Sequence, residues 1–308
     1  MAVDFLTGEQ KAQYGQYVGE PDEFQLARYF LLDKTDLAFI AERRGDQNKL
    51  GSALQLTSVR FLGTFLTDLS FVPINAQIFV ASQLSLADIT VLNDYGKRET
   101  TKREHTALIR EYYGYRDFNE LPWVFRLSRL LYAKSWISNE RPSLMFDFAT
   151  TWLIQHKIIL PGESTLSRLI SEIRERAARR LWNRLSSLPT PEQKKELGLL
   201  LQIPKGERTS RFDYYRKGPV TISAPAFNEA MKRYLELQAF GFGSFDCSHI
   251  PPVRLKNLAR YAGIISAKKI ARMPENKRVA ILVAFVRTFE IIALDDALDL
   301  LDLLVAIE

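Results

Sequence analysis

A chain of 308 residues, 46% of them hydrophobic and 25% charged, has room for two or three domains and can bury real cores, which excludes a disordered chain. No apolar run approaches the roughly 18 residues of a membrane span, the opening MAVDFLTGEQ has none of the regions of a secretion signal, and the single cysteine, Cys247, excludes internal disulfides and cysteine-rich zinc sites. The net charge of +6 is uneven: residues 1–96 carry 7 Lys/Arg against 12 Asp/Glu, residues 97–217 carry 24 against 14, and residues 218–308 carry 11 against 10, so the basic excess sits in one central block, the footprint of a polyanion partner.

Helical periodicity runs through almost every segment and strand-like alternation is scarce, so the expected fold is all-α. Short helices are predicted over 24–30 and 36–43, then a longer one over 47–66 with Asp46 as its cap. Helices over 74–84 and 86–92 follow. The stretch YGKRETTKREHTALIREYYGY (95–115) predicts a helix opening at Thr101, since Thr101 and Glu104 have the spacing of a capping box. His105, Leu108, Ile109, Tyr112 and Tyr115 fall on one arc of it, Lys102, Arg103, Thr106 and Arg110 on another. NELPW (119–123) reads as a domain edge, and helices resume over 123–136, 144–157 and 164–188 before Pro189 and Pro191. PKGERTSRFDYYRKGP (204–219) has no clear apolar period and reads as a loop. From Ala226 the chain is helical to its end, and the last helix is still periodic at Glu308, as expected of part of a longer protein.

Three places fit a helix-turn-helix, in which a short helix supports a second whose first turn reaches base edges in the major groove. In 36–56, Arg43 and Arg44 end the first helix, Gly45 turns, and Gln47, Asn48 and Lys49 open the second. Arg suits guanine and Asn or Gln suits adenine. The plainer reading is an arginine-capped helix end and a glycine, Gly51, that permits close packing. In the second place, 86–92 supports, Asp94-Tyr95-Gly96 turns, and Lys97, Arg98, Thr101, Lys102, Arg103, Thr106 and Arg110 line the following helix. Cations crowded at a helix start oppose the macrodipole unless an anion sits there. The plainer reading is a solvated face, with His105 as a packed structural histidine. In the third, 144–157 supports, Leu160-Pro161-Gly162 turns, and Ser164, Thr165, Ser167 and Arg168 open the next helix. Further along, Arg168–Glu172, Glu172–Arg176 and Glu175–Arg179 are spaced as i,i+4 pairs, which points to a salt-bridged solvent face. Lys205, Arg208, Arg211, Arg216 and Lys217, interleaved with aromatic residues, could follow a phosphate backbone or belong to a linker. This divides the chain into a first helical DNA-binding domain (1–118), a second with a basic C-terminal loop (119–217) and a helical connecting or scaffold region (218–308).

The sequence holds no Gly-x-x-x-x-Gly-Lys, no Gly-x-Gly-x-x-Gly and no His-Glu-x-x-His, and its three histidines lack metal-ligand spacing. Asp295, Asp296, Asp299 and Asp302 read as the polar side of an amphipathic helix. The inventory is that of a binder, with no catalytic residue.

FLTGEQKAQYGQYVGEPDEFQLARYFLLDKTDLAFIAERRGDQNKLGSALQLTSVRFLGTFL, VPINAQIFVASQL, TTKREHTALIREYYGY, ILPGESTLSRLI, SHIPPVRLKNLARYA and the terminal LDLLDLL together resemble the N-terminal portion of the Tn-three family of replicative transposases. The likeness covers essentially the whole chain; one departure is Ser52, where the family more usually has Phe. The resemblance implies recognition of a transposon's terminal inverted repeats through the matching stretches around Arg43, Arg44 and Asn48, Thr101 to Arg110, and Ser164 to Arg168. It implies a metal-dependent Asp-Asp-Glu strand-transfer domain beyond this chain, where magnesium is expected, and none of that triad can be carried onto this sequence. The expected partner is double-stranded DNA, with a possible homodimer of the full-length protein, no membrane, no small-molecule substrate, no cofactor in this chain and a cytoplasmic location. The rival readings are a helical scaffold or dimerisation module with nonspecific DNA affinity, and a nuclease or recombinase.

Overall fold

The computed structural model describes residues 5–95, 97 and 99–306. Among them there is no strand, only one isolated bridge between Arg116 and Ile158, and the fold is all-α. The chain gathers into two compact units, Met1–Leu131 with Arg141–Ser171, and Tyr132–Glu140 with Glu172–Glu308. This grouping runs across the three segments drawn from linker composition.

The first unit contains α1 (Gly8–Gln13), α2 (Glu23–Gln25, continuing into a π-turn at Leu26–Phe30), α3 (Lys34–Ala41), α4 (Asp46–Leu62), α5 (Ile74–Gln83), α6 (Glu99–Tyr113) and α8 (Pro142–Gln155), with parts of α7 (Trp123–Ile137) and α9 (Glu163–Ser186). Its axis is α4, in which every residue from Leu50 to Val59 is buried. A helix covered on all sides must satisfy its polar groups internally. Gln55 exchanges hydrogen bonds with the backbone of Leu66 at 2.7 and 3.2 Å, and Thr57 donates to the Ala53 carbonyl at 3.0 Å. Ser58 shares one with the Tyr17 hydroxyl at 2.8 Å. Ser52 has a buried hydroxyl with no hydrogen-bond partner among the described residues.

Four boundaries differ from the sequence reading. Gly45, at φ 84°, precedes α4 and caps it without a side-chain bond, while Asp46 is its first helical residue. The helix stops at Leu62 because Gly63 takes a left-handed φ of 75°. The 86–92 helix is a 3-10 turn at Ile89–Asp94, and α6 begins at Glu99, so Thr101 lies inside the first turn and does not cap it.

Gly51 is required by close approach. A Cβ there would lie 2.2 Å from the Tyr95 ring, and Tyr95 in turn stacks on His105 of α6 and meets its Nδ1 at 3.2 Å. Gly51→Ala should therefore destabilise the first unit by about 1–2 kcal/mol, as overpacking does. Urea unfolding measures this, and an unchanged midpoint would mean that the ring yields freely.

The second unit adds α10 (Pro191–Leu200), α11 (Arg211–Tyr215), α12 (Ala224–Gln238), α13 (Pro252–Ile264), α14 (Ala267–Ala271) and α15 (Glu275–Val305) to its parts of α7 and α9. Here α15 is the axis, buried continuously from Val279 to Val286 and packed along α12 and α13. The stretch read as a loop at 204–219 contains α11, capped by Ser210. Phe212 and Tyr215 point into the core, and the Phe212 ring lies 4.4 Å from that of Phe285. A five-residue helix holding two buried aromatics is too short to show a period. The helical stretch expected from Ala226 consists of α12 to α15, with breaks ahead of Pro252, Ala267 and Glu275.

Candidate nucleic-acid interface

In the first candidate, the body of α4 cannot lie in a groove, because its residues from Leu50 to Val59 are enclosed. Only the turn before it is open. Arg43 folds back, its guanidinium 4.5 Å from the Phe39 ring centre and its Nε buried without a partner. Asn48 donates to the Arg44 carbonyl at 2.8 Å, and Lys49 faces Asp46 at 3.7 Å. Gln47 folds over Gly45, its amide where a glycine Cβ would otherwise stand. Arg44 is exposed.

In the second candidate, α6 packs through His105 and Ile109, while Leu108 and Tyr112 of the expected apolar arc are 39% and 55% exposed. Burial first, and then the charge of Arg43, push the His105 imidazole below its ordinary pKa; α6 packs on α4, so the structure brings these two candidates together. Several basic side chains here already have partners in the protein. Lys97 pairs with Asp94, Lys102 donates to the Thr67 carbonyl at 3.1 Å, and Arg110 pairs with Asp117. Thr106 donates to the Arg103 carbonyl at 3.0 Å, and Thr101 is half-buried. Arg103 points outward on the exposed side. Arg98, and Gly96 of the turn, lie outside the described residues.

The third candidate is the most open. Leu166, Ile170, Ile173, Ala177, Leu181 and Leu185 bury one stripe of α9, at the 3–4 residue spacing of an amphipathic helix. Ser164 and Arg168 lie on the open side, with Thr165 half-buried. Ser167 donates to Glu163 at 2.7 Å. Of the three i,i+4 pairs expected along this face, Glu175–Arg179 forms at 3.9 Å; Arg168, Glu172 and Arg176 enter no ion pair among the described residues.

The basic stretch 205–217 divides by role. Arg211 reaches Glu236 at 3.3 Å. Arg216 pairs with Asp213 and donates to the carbonyls of Ala262, Gly263 and Ile265 at 3.3, 3.1 and 2.8 Å, which closes the C-terminal end of α13. Both hold the fold. Lys205, Arg208 and Lys217 remain exposed. The sequence reading set Arg176 and Arg179 in a salt-bridged solvent face and did not single out Arg180 and Arg184, whose neighbours Tyr132 and Trp136 lie more than forty residues away.

Among the described residues no group of three or more His, Cys, Asp or Glu side chains is placed to hold a metal ion. No described helix is long and apolar enough to cross a membrane.

Residues 5–173 match a family described as a domain of unknown function, DUF4158. The chain is 58% identical over 305 residues to the transposase for transposon gamma-delta of Escherichia coli (strain K12), which covers 99% of this chain and 30% of that protein. It is 30% identical over 282 residues to the transposase for transposon Tn501 of Pseudomonas aeruginosa (90% and 28%), and 28% identical over 286 residues to that for transposon Tn1546 of Enterococcus faecium (92% and 28%). The chain thus spans under a third of the length of these curated relatives.

Proposed function

Because the chain belongs to the Tn-three family of transposases and carries the N-terminal region that DUF4158 describes, we propose that it recognises the terminal inverted repeats of a transposon. The observation that carries this reading is the opening of α9. A helix of 24 residues buries one stripe and leaves Ser164 and Arg168 on the open side of its first turns, where unsatisfied backbone N–H groups favour phosphate. The turn at Arg44–Lys49 and the exposed Arg103 of α6 offer further contacts along the same duplex, in a helix-turn-helix manner. Phosphate contacts would fix register while a few side chains choose bases. Strand cutting and joining with magnesium, and any homodimer, belong to the longer protein under this proposal.

A second reading has an observation of its own. The C-terminal half of α15 leaves Ile291, Leu298, Leu301, Leu303 and Val305 between 43 and 65% exposed, which favours a scaffold role for 218–308.

The test is binding of the chain to a duplex carrying the terminal repeat of its own element and to a scrambled duplex, across a salt series. We expect a preference of about 10³-fold or more with a steep salt slope. Equal, weak binding to both duplexes would sink end recognition and leave the scaffold reading.

A further inference from the structure

The second half of α9 presents a concave surface lined by Arg176, Arg179, Arg180, Asn183, Arg184 and Ser187. Arg176, Arg180 and Arg184 recur every four residues, about 6 Å per step, and so follow one line along the helix, with Arg179 beside them. What distinguishes this face from an ordinary charged surface is how the guanidinium groups are held. Arg180 donates to the Tyr132 hydroxyl at 3.0 Å and lies 5.1 Å from the centre of the Trp136 ring. Arg184 lies 5.4 Å from the same ring and donates to the His249 carbonyl at 3.2 Å. Each of these partners is neutral. A ring, a hydroxyl or a carbonyl orients a guanidinium without cancelling its charge, whereas a carboxylate would do both. Arg176 has no ion pair among the described residues, and Arg179 faces Glu175 at 3.9 Å with both side chains at least 60% exposed, a pair that an incoming anion displaces at little cost.

From this arrangement we propose that the Arg176–Arg184 face of α9 is a preorganised, sequence-independent contact for the phosphate backbone of double-stranded DNA. Positive charge is concentrated, and at Arg180 and Arg184 it is fixed, so those two lose little side-chain entropy on binding. Trp136 is packed against the core and serves as the floor under the two arginines. A duplex backbone, which needs only charge and direction, is the polyanion this surface fits. The proposal rests on the DNA-binding reading and adds a division of labour to it: the first turns of α9 choose sequence and the later arginines add affinity.

The test is the double variant Arg176→Gln/Arg179→Gln, whose side chains support no part of the fold, titrated with the terminal-repeat and scrambled duplexes across a salt series. Losing two phosphate contacts should lower the slope of log affinity against log salt by about 2 and weaken both duplexes about tenfold near physiological salt, with their ratio unchanged. A wild-type affinity and slope, or a loss confined to the terminal repeat, would overturn the proposal. Failure of end recognition itself would show separately, as equal binding of both duplexes by the unaltered chain. Arg180→Gln gives an independent reading, and it should lower the slope by about 1.

Discussion

Replacing Asp36 by Ala should cost the first unit about 3 kcal/mol or more, the magnitude of breaking one side of a buried ion pair. The Asp36 side chain is 1% exposed, and its carboxylate accepts from both terminal nitrogens of Arg60 at 2.6 and 2.8 Å. It also accepts from the Tyr113 hydroxyl at 2.8 Å and from the Asp33 amide at 3.0 Å. One carboxylate thus ties the start of α3 to the end of α4 and the end of α6. Without it, Arg60, only 24% exposed, keeps its charge and loses its counter-ion. Burial acts to raise the Asp36 pKa, but the hydrogen bonds from Arg60, Tyr113 and Asp33 outweigh it and hold the carboxyl below its ordinary value. A depressed acid stabilises the fold fully above its unfolded-state pKa, and that contribution fades as pH falls through the folded-state value. Urea unfolding of the wild type and of Asp36→Ala should therefore differ most at neutral pH and converge in acid below the ordinary carboxylate range. A constant difference across that range would show that packing, and not the ion pair, carries the effect.

Such a lock could not be read from the sequence. Its members are separated by 24 and 77 positions, and no local pattern announces them. Local patterns did reveal the long helices: the stripe from Leu166 to Leu185 and the apolar centre of α4 are visible as periods. They failed where an element is short or where a partner is remote. Phe212 and Tyr215 look like interleaved aromatics of a basic loop until the remote Phe285 gives Phe212 a core to enter. Arg216 looks like a phosphate contact until the carbonyls at the end of α13 claim it. Spacing also over-predicted ion pairs on α9, because i,i+4 geometry permits a contact that exposed, solvated side chains have little reason to keep. The candidate site showed in the sequence only as a basic block between residues 97 and 217. Which of its charges the protein already uses did not show, since Lys102 and Arg110 find their acceptors through tertiary structure and an adjoining turn.

Arg168→Ala should weaken binding to the terminal repeat by about 1–3 kcal/mol, which is about 5- to 150-fold, and leave the scrambled duplex nearly unaffected. The side chain sits on the open face early in α9, while Leu166 and Ile170 are fully buried on the opposite stripe and fix the helix rotation. Its position is therefore set by the core and its charge by nothing nearby, the condition under which a bidentate contact to guanine discriminates between bases. Lys205 and Arg208, exposed on an irregular stretch, lack that fixed bearing; their removal should weaken both duplexes alike. Competition titrations of the two kinds of variant, followed by scanning each base pair of the repeat, separate the roles. If Arg168→Ala relaxes specificity at one or two adjacent base pairs, the first turns of α9 read sequence. If it weakens every duplex equally, Arg168 is one more phosphate contact, and base reading passes to the exposed Arg103 of α6 or to the turn at Arg44.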